Sequence, residues 1–250
     1  MIRFLTLKLL DFLRKRGFEG RFSVLRIPGI PLPHSGSGFF LIKSKSKSEI
    51  IAQNEEWNRR EECLIEERRG LGKGQLIEYQ GEFKLTRFGL FPFWFCGCEV
   101  IAVYNLLKHL QRPKKLSELI GVFEKDGILL SGEFGTAPSA IYDYLSLIGL
   151  NVSISTNPKT FKNEAESSKA FILTFFNNKR NIFRQIHTVC VTRESTNTKR
   201  DYFVVHNGSR GMEEYENWDT MLGSIGDGEG RAGGLCMISV TTHGQKADRE

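Results

Sequence analysis

Cys98 and His187 are the residues whose types could do nucleophilic chemistry in this chain. In FWFCGCEVIAVYNLLKHL, from Phe93 to Leu110, the pair Cys96-Gly97-Cys98 leads directly into an apolar pattern. Val100, Ile101, Val103, Tyr104, Leu107 and Leu110 recur at three- and four-residue steps, which predicts a helix buried on one face. Unpaired N–H groups and the macrodipole at a helix start favour a thiolate, drawing a cysteine below its free pKa of about 8.5. Such a thiol works as a nucleophile when a histidine lies in hydrogen-bond reach and a third group orients that histidine.

The sequence holds five histidines. His34 falls in a linker-like stretch and His243 in a polar tail. His109 lies about three turns along the cysteine helix and cannot reach back. His187 opens the strand-like run HTVCV, and Asn207 ends DYFVVHN. A hairpin spanning Thr188 to Val205 would bring these two to one edge, where Asn207 could accept the imidazole N–H and fix its tautomer. His206 competes for the role, but alternation directs it to the opposite face from Asn207. Cys96 stays open as an alternative nucleophile, although it falls before the helix rather than on its first turn. A metal site built from Cys96, Cys98 and His187 or His206 lacks a second ligand pair, and no metal or cofactor is expected. Cys190 and Cys236 sit in apolar strand patterns and are expected in the core. Cys63 falls on a charged helix, where it is expected to be incidental.

Several elements must position these groups. MIRFLTLKLLDFLRKRGF reads as a short basic amphipathic helix rather than a secretory signal, because Lys8 interrupts its apolar part. Pro28, Pro31, Pro33 and the following Ser-Gly and Lys-Ser runs suggest a linker. Residues 1–48 therefore read as a basic arm and linker, 49–84 as a charged helix and connection, 85–243 as the main domain, and 244–250 as a polar tail. The charged helix, from Ser48 to Arg69 with Ser48 as cap, is expected to face solvent. A second helix is expected from Lys114 to Glu124, and a third over Gly132 to Leu150, with Thr136 as N-cap and Pro138 in its first turn. The period then changes to two: strands are expected over Asn151–Thr156, Ala170–Phe176, His187–Thr192, Tyr202–Val205 and Leu235–Thr241, with a helical turn from Trp218 to Leu222. Helices first and antiparallel strands afterwards give an α+β class.

Charge is concentrated at one end. Residues 1–50 carry ten Lys/Arg against three Asp/Glu, a balance of +7, whereas the whole chain sums to +6. The arm could support salt-sensitive contacts with a partner, an acidic protein, nucleic acid or a membrane surface. It has no basic–aromatic interleaving, so no specific nucleic-acid partner is expected. An odd, sparse cysteine set points to a reducing, cytoplasmic compartment. Oligomeric state is not written in the sequence.

The ordered set GCEVIAVYNLL (97–107), GTAPSAIYDYLSLIGL (135–150), HTVCV (187–191) and YFVVHN (202–207) resembles the papain-like cysteine peptidases, in particular the bacterial branch of double-glycine leader peptidases. The likeness spans about residues 85–243. It implies a papain-like fold whose helical half carries the nucleophile and packs on an antiparallel sheet. It also implies a thiol peptidase or amide hydrolase with Cys98 as nucleophile, His187 as general base and then acid, Asn207 as orienting residue, and a peptide or protein substrate. Such peptidases place a glutamine about six residues before the cysteine to bind the oxyanion. Here that position is Pro92, or Leu90 when counted from Cys96. The competing reading is therefore a non-catalytic module of the same shape whose basic arm recruits a partner.

Overall fold

The computed structural model describes residues 2–16, 46–69, 75–177, 186–195, 201–225 and 233–241, excepting the side chains of 2–6, 16, 62–69 and 233. His34, His243, the Cys63 side chain, most of the expected linker and the polar tail lie outside the described residues.

Helix α4 (Cys98–His109) is the centre of the molecule. Every residue from Cys98 to Leu107 is buried, Glu99 and Asn105 included, where the sequence pattern predicted one buried face. Neighbours on all sides account for the difference. Helices α5 (Leu116–Lys125) and α6 (Pro138–Leu147) pack on one side of α4, and the main sheet on the other. That sheet has the order β3-β8-β4-β5-β6-β7, with every neighbouring pair antiparallel. Its strands are β3 (Val152–Ser155), β4 (Ala170–Phe176), β5 (Ile186–Ser195), β6 (Asp201–Gly208), β7 (Gly211–Tyr215) and β8 (Gly233–Val240). The chain is α+β.

Strand β4 is buried at all seven positions because helices cover both of its faces. Ile172 joins the core under α4, and Phe171, Leu173 and Phe175 join a second core with α7 (Phe161–Ser167) and α8 (Trp218–Ser224). Truncating a fully buried phenylalanine such as Phe171 to alanine would cost about 3–5 kcal/mol through lost transfer energy and a residual cavity. Neither β7 nor α7 was predicted. The polar sequence of β7, GMEEY, gives little apolar alternation to read.

Helix α2 (Lys47–Arg69) starts earlier than expected because Ser46, not Ser48, caps it. The Ser46 hydroxyl accepts the Glu49 N–H at 3.3 Å, and Glu49 Oε2 accepts the Ser46 N–H at 2.7 Å, forming a reciprocal capping box. The expected solvent-facing role of α2 is corrected in part, since one polar stripe grips backbone. Asn58 pairs with both the N–H and the carbonyl of Arg87 at 2.8 Å, and Trp57 donates to the Leu85 carbonyl. Asn54 donates to the Gly89 carbonyl at 2.8 Å and to buried Glu124 at 2.6 Å. These contacts hold the small hairpin β1 (Arg87–Phe88) and β2 (Phe91–Pro92), which feeds the cysteine segment.

Helix α1 (Ile2–Arg16) docks on the α6 side of the body. Its Arg14 binds Asp126 at 2.8 Å and Asp143 at 2.7 Å, and Leu10 is buried. In α6 the cap position falls on Ala137 with Pro138 at the first turn, so Thr136 does not cap; its buried hydroxyl has no partner among the described residues. Among the described residues no helix is long and apolar enough to cross a membrane.

Candidate functional site

Cys98 occupies the first position of α4, after Gly97. Just before it, the short helix α3 (Phe93–Cys96) ends in Cys96, whose thiol is held by the Pro92 carbonyl at 3.3 Å. The Cys98 thiol donates instead to Glu99 Oε2 at 3.3 Å and receives a backbone N–H from Thr188. Both thiols are buried and line one cavity of about 510 Å³. Burial raises the Cys98 pKa well above its ordinary value, and the neighbouring Glu99 carboxylate adds to the rise. The direction is opposite to the one expected from the helix start. Desolvation and a like charge outweigh the dipole, which acts only within the first turn.

Glu99 is itself buried, and desolvation lifts its carboxyl to about 7 against stabilising N–H groups of its own residue and Thr136. Gly135 makes room for it. Gly135 has φ +67°, and a Cβ there would stand 2.4 Å from Glu99 Oε2. Glu99 is a site residue with a signal in the sequence, a charged residue inside an apolar helical run.

Strands β5 and β6 bring His187 and Asn207 together as expected, though through different atoms. The β6–β7 register shifts between Val205 and Gly208, and Asn207 adopts φ +62°, a left-handed conformation that asparagine tolerates. This bulge leaves the Asn207 carbonyl to accept from His187 Nε2 at 2.8 Å. A carbonyl only accepts, so Nε2 carries the proton and Nδ1 is left as the basic nitrogen. Burial lowers His187 below the ordinary imidazole range, with the Asn207 carbonyl working against it. The ring packs edge-on against Phe175 at 5.7 Å between centroids. No hydrogen bond joins Cys98 to His187 among the described residues; the two line the same cavity from opposite elements.

Among the described residues the Asn207 side chain makes its hydrogen bonds to Gln80, not to His187. Its Oδ1 accepts the Gln80 N–H at 2.9 Å, and its Nδ2 approaches Gln80 Oε1 at 3.4 Å. His206 is buried away from the cavity lining, between Glu78 at 2.8 Å and Thr192 at 3.1 Å. His109 sits at the far end of α4, 3.8 Å from Glu194. Cys190 and Cys236 are buried in the sheet.

Gln80 is the site residue that sequence reasoning missed. It lies in the 3-10 turn Gln80–Glu82 and lines the cavity, its Nε2 donating to the Trp94 carbonyl at 2.8 Å. Asn105 fixes that segment from inside α4, taking both the N–H and the carbonyl of Ile77 at 2.8 Å. Glu78 ties the same segment to β6 through His206 and the Asn207 N–H. Together, four separate stretches of chain supply Gln80, Cys98, His187 and Asn207 to one cleft. Among the described residues no group of His, Cys, Asp and Glu could hold a metal ion.

No protein-family model, curated protein or solved structure matches this chain.

Proposed function

We propose that this protein is a papain-like thiol hydrolase that cleaves a peptide or amide bond through a Cys98 thioester. The observation that carries the reading is the convergence of a helix-start cysteine, a histidine whose Nδ1 has no partner among the described residues, its carbonyl anchor on Asn207 and the Gln80 amide on one cleft. With both the thiol and the imidazole neutral at rest, activation is a proton transfer on attack rather than a standing ion pair. Cys98 Sγ bonds to the substrate carbonyl carbon as its proton passes to His187 Nδ1. The oxyanion is met by the Cys98 N–H, one of the unpaired donors of the first turn, and by the Gln80 amide N–H that leaves its long 3.5 Å contact with the Phe93 carbonyl. The C–N bond then breaks, and His187 returns the proton to the leaving amine. Water, deprotonated by the same nitrogen, hydrolyses the thioester and restores the thiol.

Gln80 supplies the donor expected near Pro92, at a distance of 18 residues before Cys98 rather than about six. Asn207 orients His187 through its main chain in this reading, and its side chain positions Gln80.

The competing reading, a non-catalytic module, is favoured by one observation: the Cys98 thiol is bonded to Glu99 rather than to His187. Incubating the protein with a proteome-derived peptide library and reading new termini by mass spectrometry separates the two. Cleavage by the wild type and by Cys96→Ala, lost in Cys98→Ala and His187→Ala, is the expected result. Cleavage by Cys98→Ala at the wild-type level, or by no form at all, would remove the enzyme reading.

A further inference from the structure

We infer that the cleft takes a basic side chain of a peptide, arginine in preference to lysine, with Glu133 as its counter-charge. The inference rests on reading the cleft as a substrate site.

Three carboxylates line the cavity, Glu78, Glu99 and Glu133, and among the described residues no lysine or arginine does. Two of the three are committed. Glu78 holds His206 and the Asn207 N–H, and Glu99 takes the Cys98 thiol and backbone donors. The Glu133 carboxylate has no ion pair or side-chain hydrogen bond among the described residues, although partial burial disfavours its charge. A partly desolvated anion that lines a cavity, without a partner among the described residues, is complementary to an incoming cation.

The walls point to the same ligand. Phe134 and Trp94 line the cavity and keep 54% and 36% of their surface exposed. Aromatic side chains and a carboxylate lining one cavity suit a guanidinium, which stacks on aromatic faces and presents a fork of donors to the two oxygens. An ammonium makes only the point-charge contact, hence the order arginine before lysine. The backbone that presents Glu133 and Phe134 is unusual as well. Leu130 and Ser131, just before them, both have positive φ, at 47° and 58°. Two successive non-glycine residues in that region are costly and persist where surrounding structure holds them.

The test uses the full chain with Cys98→Ala, so that binding is read without turnover. Peptides identical except for one residue, arginine, lysine, citrulline or glutamate, are scanned through each position and their Kd measured by fluorescence polarisation. Citrulline keeps the shape of arginine and removes its charge. At one position the arginine peptide is expected to bind about tenfold tighter than its citrulline twin, the combined effect of a partly exposed ion pair and a cation–π contact. The gap should close in Glu133→Gln and reverse towards the glutamate peptide in Glu133→Arg, with melting temperatures checking that both variants fold. Equal binding of arginine and citrulline peptides at every position, or a gap that survives Glu133→Gln, would overturn the inference. Charge-indifferent cleavage by the wild type would overturn it while leaving the hydrolase reading intact. A Glu133-dependent arginine preference in a protein that cleaves nothing would do the reverse.

Discussion

Glu99→Gln tests how the protein holds its nucleophile. The Cys98 sulfur and Glu99 Oε2 stand 3.3 Å apart. Two unit charges at that distance repel by about 5 kcal/mol at an effective dielectric of about 20. At 1.36 kcal/mol per tenfold, that weighs against the thiolate by a factor of about 5 × 10³. Glu99 has its own carboxyl at about 7, so at pH 8 it is mostly ionised and the repulsion is in force. Glutamine keeps the shape, removes the charge and offers an N–H to the thiolate. The thiolate fraction at pH 8 should rise by about 5 × 10³, and the fall in intrinsic nucleophilicity returns about half of that on a logarithmic scale. A net gain of about 70-fold is expected. The assay is the rate of Cys98 reaction with dithiodipyridine in a Cys96→Ala background, mapped by peptide mass spectrometry. The Cys98 titration midpoint should fall in the variant yet stay above the free-thiol value, because burial is the larger cause of the rise. An unchanged rate and midpoint would mean that burial alone sets the thiol, and the charge argument would be wrong.

Three further outcomes follow from the same geometry. Gln80→Ala should lower kcat by about 10²–10³ with a much smaller change in KM, since an oxyanion donor acts mainly in the transition state; a change confined to KM would assign Gln80 to ground-state binding. Asn105→Ala leaves the buried N–H and carbonyl of Ile77 without partners and should cost about 2–4 kcal/mol in urea unfolding; a loss below about 0.5 kcal/mol, the low end for a single net bond, would show that the clamp is dispensable. Glu124 is buried, with its carboxyl lifted from 4.5 to about 7 by desolvation. The folded state therefore keeps a proton that the unfolded chain has released, and stability falls as pH rises through that window by about 3 kcal/mol. Glu124→Gln retains an acceptor for Asn54 and Gly89 and should reduce the difference in unfolding free energy between pH 5 and pH 8 by about 3 kcal/mol, leaving the share of Glu99, whose carboxyl is also lifted to about 7. An undiminished difference would place the titration elsewhere.

The parts of the fold that were legible in the sequence are those written in local period. Strand β4 runs from Ala170 to Phe176 as expected, because its apolar β-type run is unbroken, and α4 starts at Cys98 as its pattern indicates. His187 and Asn207 meet because a hairpin returns to its own edge. Their atoms were not legible, since a bulge at His206 and Asn207 breaks the alternation on which the side-chain argument depended. The pKa of Cys98 was misjudged for a related reason. The helix start is a local fact, but burial and the neighbouring charge depend on what the rest of the chain packs around it. Gln80 and the α2 clamps were invisible on the same ground, because Asn54 and Asn58 act on backbone 29 to 35 residues away; Asn105, on a different side of its helix from Tyr104, is legible as a residue that bonds to a nearby loop. Polar residues on α2 read as solvated until their tertiary partners are known.

The most direct test of the central claim is to quench a cleaved peptide reaction with acid within the first turnover and search for an acyl adduct by mass spectrometry. A thioester on Cys98, with Cys96 unmodified and the adduct absent in His187→Ala, is the result this account predicts. An adduct on Cys96, or one that forms equally fast without His187, would contradict it.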